Sequence, residues 1–257
     1  MKKNLPANAC KPDYDSLKIE WLLPKLVISE LSLPQGCTGG EAMRFKYVNV
    51  NFHFISFSPF GIPFKIDTEI NDQPLTVYYV QGIGSRMIRL KDQTLSLPKL
   101  QGILGKTKMA GSMTVDLSAL LTNNNSLTEL TLKAQSKNLQ IPTQTLTIQG
   151  LPLSIPNIRL NDFYLEANSD NSNRLIVEKF IMGDPESPMR ANFKGRINLQ
   201  KDKITMSPME LNGEIAFSES FKQKVSLDFI FGHFAQKDGF YQIRLGGTLG
   251  QPQMLNQ

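Results

Sequence analysis

Apolar and polar residues alternate along much of this chain. In Val48-Asn49-Val50-Asn51-Phe52-His53-Phe54 every second side chain is apolar, which sends one set to each face of an extended strand. Phe64-Lys65-Ile66-Asp67-Thr68-Glu69-Ile70 repeats the pattern, and the stretch Ser58–Pro63 before it carries turn residues. The same reading predicts strands at Leu26–Leu33, Leu75–Val80, Met113–Leu117, Leu127–Ala134, Leu146–Ile148, Ile158–Ala167, Leu175–Ile181, Asn192–Leu199, Glu210–Phe217, Val225–Phe231 and Tyr241–Leu245. Helical periodicity is weak. Its candidates are Leu117–Leu121, with Asp116 as cap, and Glu219–Lys222. Many short strands separated by Gly, Pro, Asn and Ser predict an all-β fold. The expected form is an extended, curved, mostly antiparallel sheet, or a sheet folded over into a sandwich, with few short helices.

Such alternation leaves one face apolar and the other wet. The apolar face must fold on itself, pack on a second sheet, or hold an apolar partner. A short unit recurs in Gly111-Ser112-Met113-Thr114-Val115-Asp116-Leu117, Gly195-Arg196-Ile197-Asn198-Leu199 and Gly213-Glu214-Ile215-Ala216-Phe217, and Gly247-Thr248-Leu249-Gly250 closes the series. Its glycine relaxes a strand or lets a neighbouring backbone approach. The spacing is too irregular for a propeller or solenoid. The reading divides the chain into an amino-terminal arm, residues 1–40, and a single β-rich domain, residues 41–257. Polar or Pro-rich turns at 123–126 and 150–156 offer subdivision points.

Composition changes this picture little. The net charge is +5 and the pI about 9.1, but the basic residues are scattered. That fits a solvated surface with a weak pull toward anionic membranes. It does not fit nucleic-acid binding, which needs clustered Lys/Arg with stacking aromatics. Cys10 and Cys37 both lie near the amino end, an even count that fits one disulfide tying the arm to the body, with two free thiols as the alternative. With His53 and His233 they have no zinc-site spacing. Lys2 and Lys3 resemble the start of a signal peptide, yet no apolar core follows, and no stretch approaches the ~20 apolar residues of a membrane helix.

No catalytic constellation emerges. There is no Gly-x-Ser-x-Gly elbow, and His53 falls on the polar phase of its strand. Asp67 and Glu69 share a face with Lys65, which reads as a solvated charged ladder. Asn168–Asn173 lacks the glycine and closing glutamate of a calcium loop and reads as a hairpin tip. Gly246-Gly247-Thr248-Leu249-Gly250 is followed by Gln251-Pro252, so neither a Lys-Ser/Thr nor a helix is there to hold phosphate. Tyr241, Ile243 and Leu245 then share one face of a last strand, with Gln242 and Arg244 on the other. The two glycines permit a bend, and Pro252 is expected to stop further pairing. No cofactor and no metal site is expected. One surface candidate is the cluster Phe52, Phe54, Phe57, Phe60 and Phe64: as core it fills a sheet face, and as function it lines an apolar groove or a partner patch.

The carboxyl half resembles the type II secretion system protein N (GspN) family, in its delta-proteobacterial and spirochaete-like form. The resemblance rests on Leu151-Pro152-Leu153-Ser154-Ile155-Pro156, on Leu175–Phe180 and Phe193–Leu199, and most specifically on the closing fingerprint Gly246, Gly247, Thr248, Leu249, Gly250 and Pro252 after an aromatic and an alternating strand. Glu20-Trp21-Leu22-Leu23-Pro24 is the anchor in the looser amino half. The same ending is similar to AsmA- and TamB-like envelope proteins, which build long curved sheets with an apolar inner groove. The first resemblance implies a non-enzymatic periplasmic accessory or assembly component of the secretion apparatus. It would act by protein–protein contact with other secretion-system proteins, and a preceding amino-terminal helix would anchor it in the inner membrane. The second implies a lipid-handling module that shelters acyl chains.

Overall fold

The computed structural model describes residues 10–21, 24–34, 42–52, 61–100, 108–124, 126–148, 151–169, 173–200, 204–225 and 227–256. The chain opens with strands β1 (Ser16–Glu20), β2 (Lys25–Leu33), β3 (Met43–Phe52), β4 (Ile62–Ile70), β5 (Gln73–Gln81), β6 (Ser85–Ser96), β7 (Ser112–Thr122) and β8 (Leu127–Ser136). Four short strands follow: β9 (Leu139–Ile141), β10 (Gln144–Ile148), β11 (Leu151–Ile155) and β12 (Ile158–Leu160). Then come β13 (Phe163–Ser169), β14 (Arg174–Met182), β15 (Met189–Asn198) and β16 (Met209–Phe217). Helices α1 (Glu219–Lys224) and α2 (Asp228–Phe231) precede β17 (Gln236–Lys237), β18 (Phe240–Thr248) and β19 (Gln251–Asn256).

Fifteen of these strands form one antiparallel sheet, ordered β1 to β8, then β13 to β16, then β18, which carries β17 and β19 on its far side. The fold is all-β. Sequential neighbours pair, so the sheet is a meander, with β9–β12 inserted between β8 and β13 and the two helices between β16 and β18. Those four strands form two separate pairs, β10 with β11 and β9 with β12. The register slips at bulges in the β3–β4, β6–β7, β7–β8, β13–β14 and β14–β15 pairings. Each bulge bends its strand and raises local twist, which curves so wide a sheet. β1 and β2, within the segment read as an arm, are the first two strands of the sheet.

Three segments depart from the expected elements. Ile158–Ala167 is not one strand: β12 pairs with β9, and β13 begins at Phe163 in the large sheet. Leu117–Leu121 is strand, not helix: Leu117 lies opposite Leu132 and Ala119 opposite Leu130, so cross-strand packing overrides the helix propensity of Leu and Ala. Asp116 faces Lys133 across that ladder and caps nothing. Val225–Phe231 is not a strand. It ends α1 and contains α2, because Leu227, Phe231 and Phe234, all buried, repeat at helical spacing. Ser218 caps α1, its Oγ accepting from Phe221 N–H at 3.3 Å.

Two of the unit glycines, Gly195 in β15 and Gly213 in β16, lie in mid-strand, whereas Gly111 precedes β7. At Gly213 in β16 a Cβ would stand 2.1 Å from the Asn192 carbonyl oxygen and 2.5 Å from the Phe193 ring, so the missing side chain is what lets Phe193 lie flat across the sheet. Pro252 does not stop pairing. It sits inside β19 opposite Gly247, after a turn at Leu249-Gly250. β19 is an edge strand, where a proline's missing N–H can face away from the ladder.

Candidate functional site: an apolar face and its cavity

Residues directly opposite in an antiparallel pair point to the same face, so the register traces continuous rows. One row runs Leu26, Val50, Ile66, Val77 across β2 to β5. A second runs Phe52, Phe64, Tyr79, Ile88, Ala119, Leu130 across β3 to β8. A third continues Phe180, Phe193, Gly213, Ile243 across β14 to β18. All three lie on one face, which is apolar from one end of the sheet to the other. Of the phenylalanine cluster, the structure brings Phe52 and Phe64 together, edge to face at 5.0 Å between centroids, with Tyr79 a further 5.8 Å from Phe64. Phe54, Phe57 and Phe60 lie outside the described residues.

Over β13 to β18 this face is covered. The β9 and β12 side chains Leu139, Ile158 and Leu160 join one cluster with Phe193, Ile243 and the helix residues Phe221, Ile230 and Phe231. Phe217 of the sheet stacks on Phe221 at 5.7 Å and meets Phe231 at 5.0 Å, while Phe231 lies 5.5 Å from Tyr241. At its margin, between the helices, β11–β12 and the β18–β19 hairpin, is a cavity of about 880 Å³. Its walls are Ile215, Phe217, Val225, Leu227, Leu245 and Met254, with the fingerprint residues Gly250 and Pro252 at one side. The volume is that of a small-molecule pocket, and the lining suits an apolar guest. Over β2 to β5, Leu26, Val50, Ile66 and Val77 are all half-buried and outside that cluster.

The opposite face is a ladder of charges. Lys65 pairs with Asp67 at 3.0 Å, and Thr76 Oγ1 donates to the same carboxylate at 2.8 Å. Lys46 pairs with Glu69 at 3.2 Å. Glu69 and Asp67 thus form a solvated ladder with lysines. Further along, Lys133 reaches Glu166 at 3.0 Å and Tyr164 Oη donates to it at 2.9 Å. Hydrogen bonding by Lys133, then by Tyr164, holds the Glu166 carboxyl below its ordinary range. Glu210 is held low in the same way, first by the hydrogen bond from Arg196 and then by the charge of Arg244. The reverse face is not wholly polar, since Val80 lies opposite Met87 and Pro63 on it.

Other candidates take structural places. Asp184 accepts from Ser187 Oγ at 2.6 Å and from Asn161 Nδ2 at 3.3 Å, an arrangement that holds the turn after β14. His233 is exposed beside Phe234, and His53 lies outside the described residues. Cys10 is described and Cys37 is not, so the expected disulfide lies outside the described residues. No group of three or more metal-ligating side chains gathers among the described residues, and no described helix is long and apolar enough to cross a membrane. The fingerprint residues shape the β18–β19 hairpin: Gly247 takes a φ of +80°, and at Gly246 a Cβ would stand 2.9 Å from Leu255. No family model matches the chain, and no curated protein or solved structure matches it.

Proposed function

We propose that this protein is a non-enzymatic envelope module that shelters the acyl chains of lipids on the apolar face of its sheet. The carrying observation is that face itself: the in-register row Leu26, Val50, Ile66 and Val77 across β2 to β5 is only half-buried and lies outside the core cluster. Apolar surface of that extent is costly to leave in water and marks a ligand or partner site. A separate apolar cavity of about 880 Å³, lined by Phe217, Leu245 and Met254, lies at the carboxyl end of the same sheet. Lipid sheltering needs no reacting group, and the polar residues sit on the far face. The reading keeps the periplasmic placement and the preceding inner-membrane helix that the resemblance to the type II secretion system protein N family implies. A Cys10–Cys37 disulfide belongs to the same proposal, and two reactive thiols in denaturant without reductant would remove it.

The test is native mass spectrometry of protein taken from the bacterial envelope, beside an Ile66→Glu/Val77→Glu variant. Lipid-sized adducts on the parent that vanish from the variant are expected. A parent protein free of lipid overturns the reading. The second reading, an assembly component of a type II secretion system acting by protein contact, draws support from the filled carboxyl half, which coincides with the stretch resembling that family. Co-purification with inner-membrane platform proteins of that apparatus, without lipid, would favour it.

A further inference from the structure

The sheet has three free ends among the described residues: β1 at one side, and β17 and β19 at the other. β17 is two residues long, and β19 is blunted by Pro252. β1 has no such guard. Its inner side is secured to β2 over five residue pairs, extended by Asp13 and Ser32 exchanging hydrogen bonds at 3.0 and 2.7 Å. No described strand pairs with its outer side. Exposed large apolar side chains gather here as well: Tyr14 48%, Leu17 46%, Ile19 53% and Trp21 84%, four of the ten such residues in the described chain. Leu17 lies opposite Ile28 and Ile19 opposite Leu26, so both continue the apolar face, while Lys18 and Glu20 point to the charged face.

We infer that β1 joins a second copy of this chain, antiparallel, edge to edge, around a two-fold axis through Ile19. The sequence of the strand selects this register. Directly opposite residues share a face, so a register that sets apolar against apolar must match odd positions with odd and even with even. Centring on Lys18 sets Lys18 against its own copy. Centring on Glu20 does the same for the two carboxylates. Centring on Ile19 sets Lys18 against Glu20 of the second copy, twice over, and Ile19 against Ile19. It is the self-complementary arrangement, and neither Lys18 nor Glu20 forms an ion pair within 4.0 Å among the described residues of its own chain, although Lys25 stands opposite Glu20 in β2. The axis stands perpendicular to the sheet, so the apolar faces of both copies lie on the same side and run on as one surface. Such an isologous contact closes on itself as a dimer, whereas β1 on β19 would grow into an open filament. A five-residue edge buries little area, so the dimer belongs to the weak, micromolar class.

The contact stands apart from the acyl-chain reading: a lipid-free dimer would sink that reading alone, and a lipid-bound monomer would sink this one alone. The experiment is sedimentation velocity across the micromolar range on the whole chain, with circular dichroism to confirm an unchanged fold. A parent dimer is expected. Lys18→Glu or Glu20→Lys should weaken it at least about tenfold, because each sets like charges opposite at two places. The double reversal Lys18→Glu/Glu20→Lys should restore it. A monomeric parent overturns the inference, including one that instead binds anionic vesicles through Trp21. So does a dimer whose dissociation constant ignores both reversals.

Discussion

Phe193 and Phe52 occupy equivalent places. Each lies on the apolar face of the sheet, and each meets a phenylalanine on the next strand, Phe180 at 6.1 Å and Phe64 at 5.0 Å. Phe193 is nevertheless 2% exposed while Phe52 is only half-buried. The difference lies outside the sheet. Over Phe193 the chain supplies a second layer, made of the looped-out strands β9 and β12 and the two short helices, and the cluster they complete is the main buried core. Apart from Leu97, that cluster draws no fully buried residue from before Leu139. One alternating pattern therefore gives two outcomes. It fixes which face is apolar everywhere, and separate segments decide whether that face becomes core or remains a surface for something else.

The most forceful way to break this comparison is to truncate both rings. Phe193→Ala should cost ~3–5 kcal/mol, the usual range for an aromatic removed from a sealed core. Phe52→Ala should cost about half as much or less, since part of its area is already in water. Urea denaturation of both variants measures this, and equal losses would mean that the amino half is as well packed as the carboxyl half.

Glycine substitutions probe the same contrast through the backbone. Gly213→Ala pushes a methyl into the Asn192 carbonyl and the Phe193 ring, so the strands or the ring must shift, and a loss of about 1–3 kcal/mol is expected. Gly84, in the turn between β5 and β6, has open space where its Cβ would be. Gly84→Ala should stay within about 0.5 kcal/mol of the parent. A large effect at Gly84 would reveal packing on that end of the sheet.

A binding measurement sharpens what the open face is for. Val77→Asp puts a carboxylate into the row Leu26, Val50, Ile66, Val77 without touching the filled core. Binding of a fluorescent fatty acid should weaken at least about tenfold, or ~1.4 kcal/mol, because an ionised group there must desolvate against an alkyl chain. The thermal midpoint should move little. Unchanged affinity would place the acyl chain elsewhere, with the cavity beside Met254 the next site to test by Met254→Glu.

Much of this was legible in the sequence. Alternation located the central strands within a few residues, the sidedness of Phe64–Ile70 and of Tyr241–Leu245, and the charged ladder of Lys65, Asp67 and Glu69. What escaped were elements whose pattern is short or broken. β1 and β19 are edge strands, exposed or proline-bearing, so alternation there is not enforced by burial on both sides. β6 is interrupted by a bulge at Lys91-Asp92, which flips the phase midway. α2 hid in a run whose apolar residues satisfy a period of two as well as a helical one. The cavity was illegible for a different reason. Its walls come from β11–β12, β16, the helices and β18–β19, and only the packing of the second layer brings them together.

The smallest expected effect separates the two halves by charge. Glu166 and Glu210, on β13 and β16, have carboxyls held below their ordinary value of 4.5 by Lys133 and by Arg196. A depressed carboxyl pKa stabilises the fold above the unfolded-state value, and that contribution is lost as pH falls through the folded-state value. Lys46 and Lys65 pair with carboxylates on β4, and the hydrogen bonds they donate to Glu69 and Asp67 raise them above 10.5. A raised lysine pKa stabilises below the unfolded-state value and is lost as pH climbs through the folded one. Acid should therefore loosen the carboxyl half and strong alkali the amino half, with Lys133, raised by Glu166, adding an alkaline contribution in the middle of the sheet. The shifts belong to solvated groups, so both effects should be small and should shrink in high salt. Hydrogen exchange resolved by peptide, at acid and alkaline pH with and without salt, reads the two halves apart. Glu210→Gln should flatten the acid response around β15, β16 and β18 and leave β3–β4 unchanged. A uniform response along the whole sheet would mean that its two halves open as a single unit, despite their different packing.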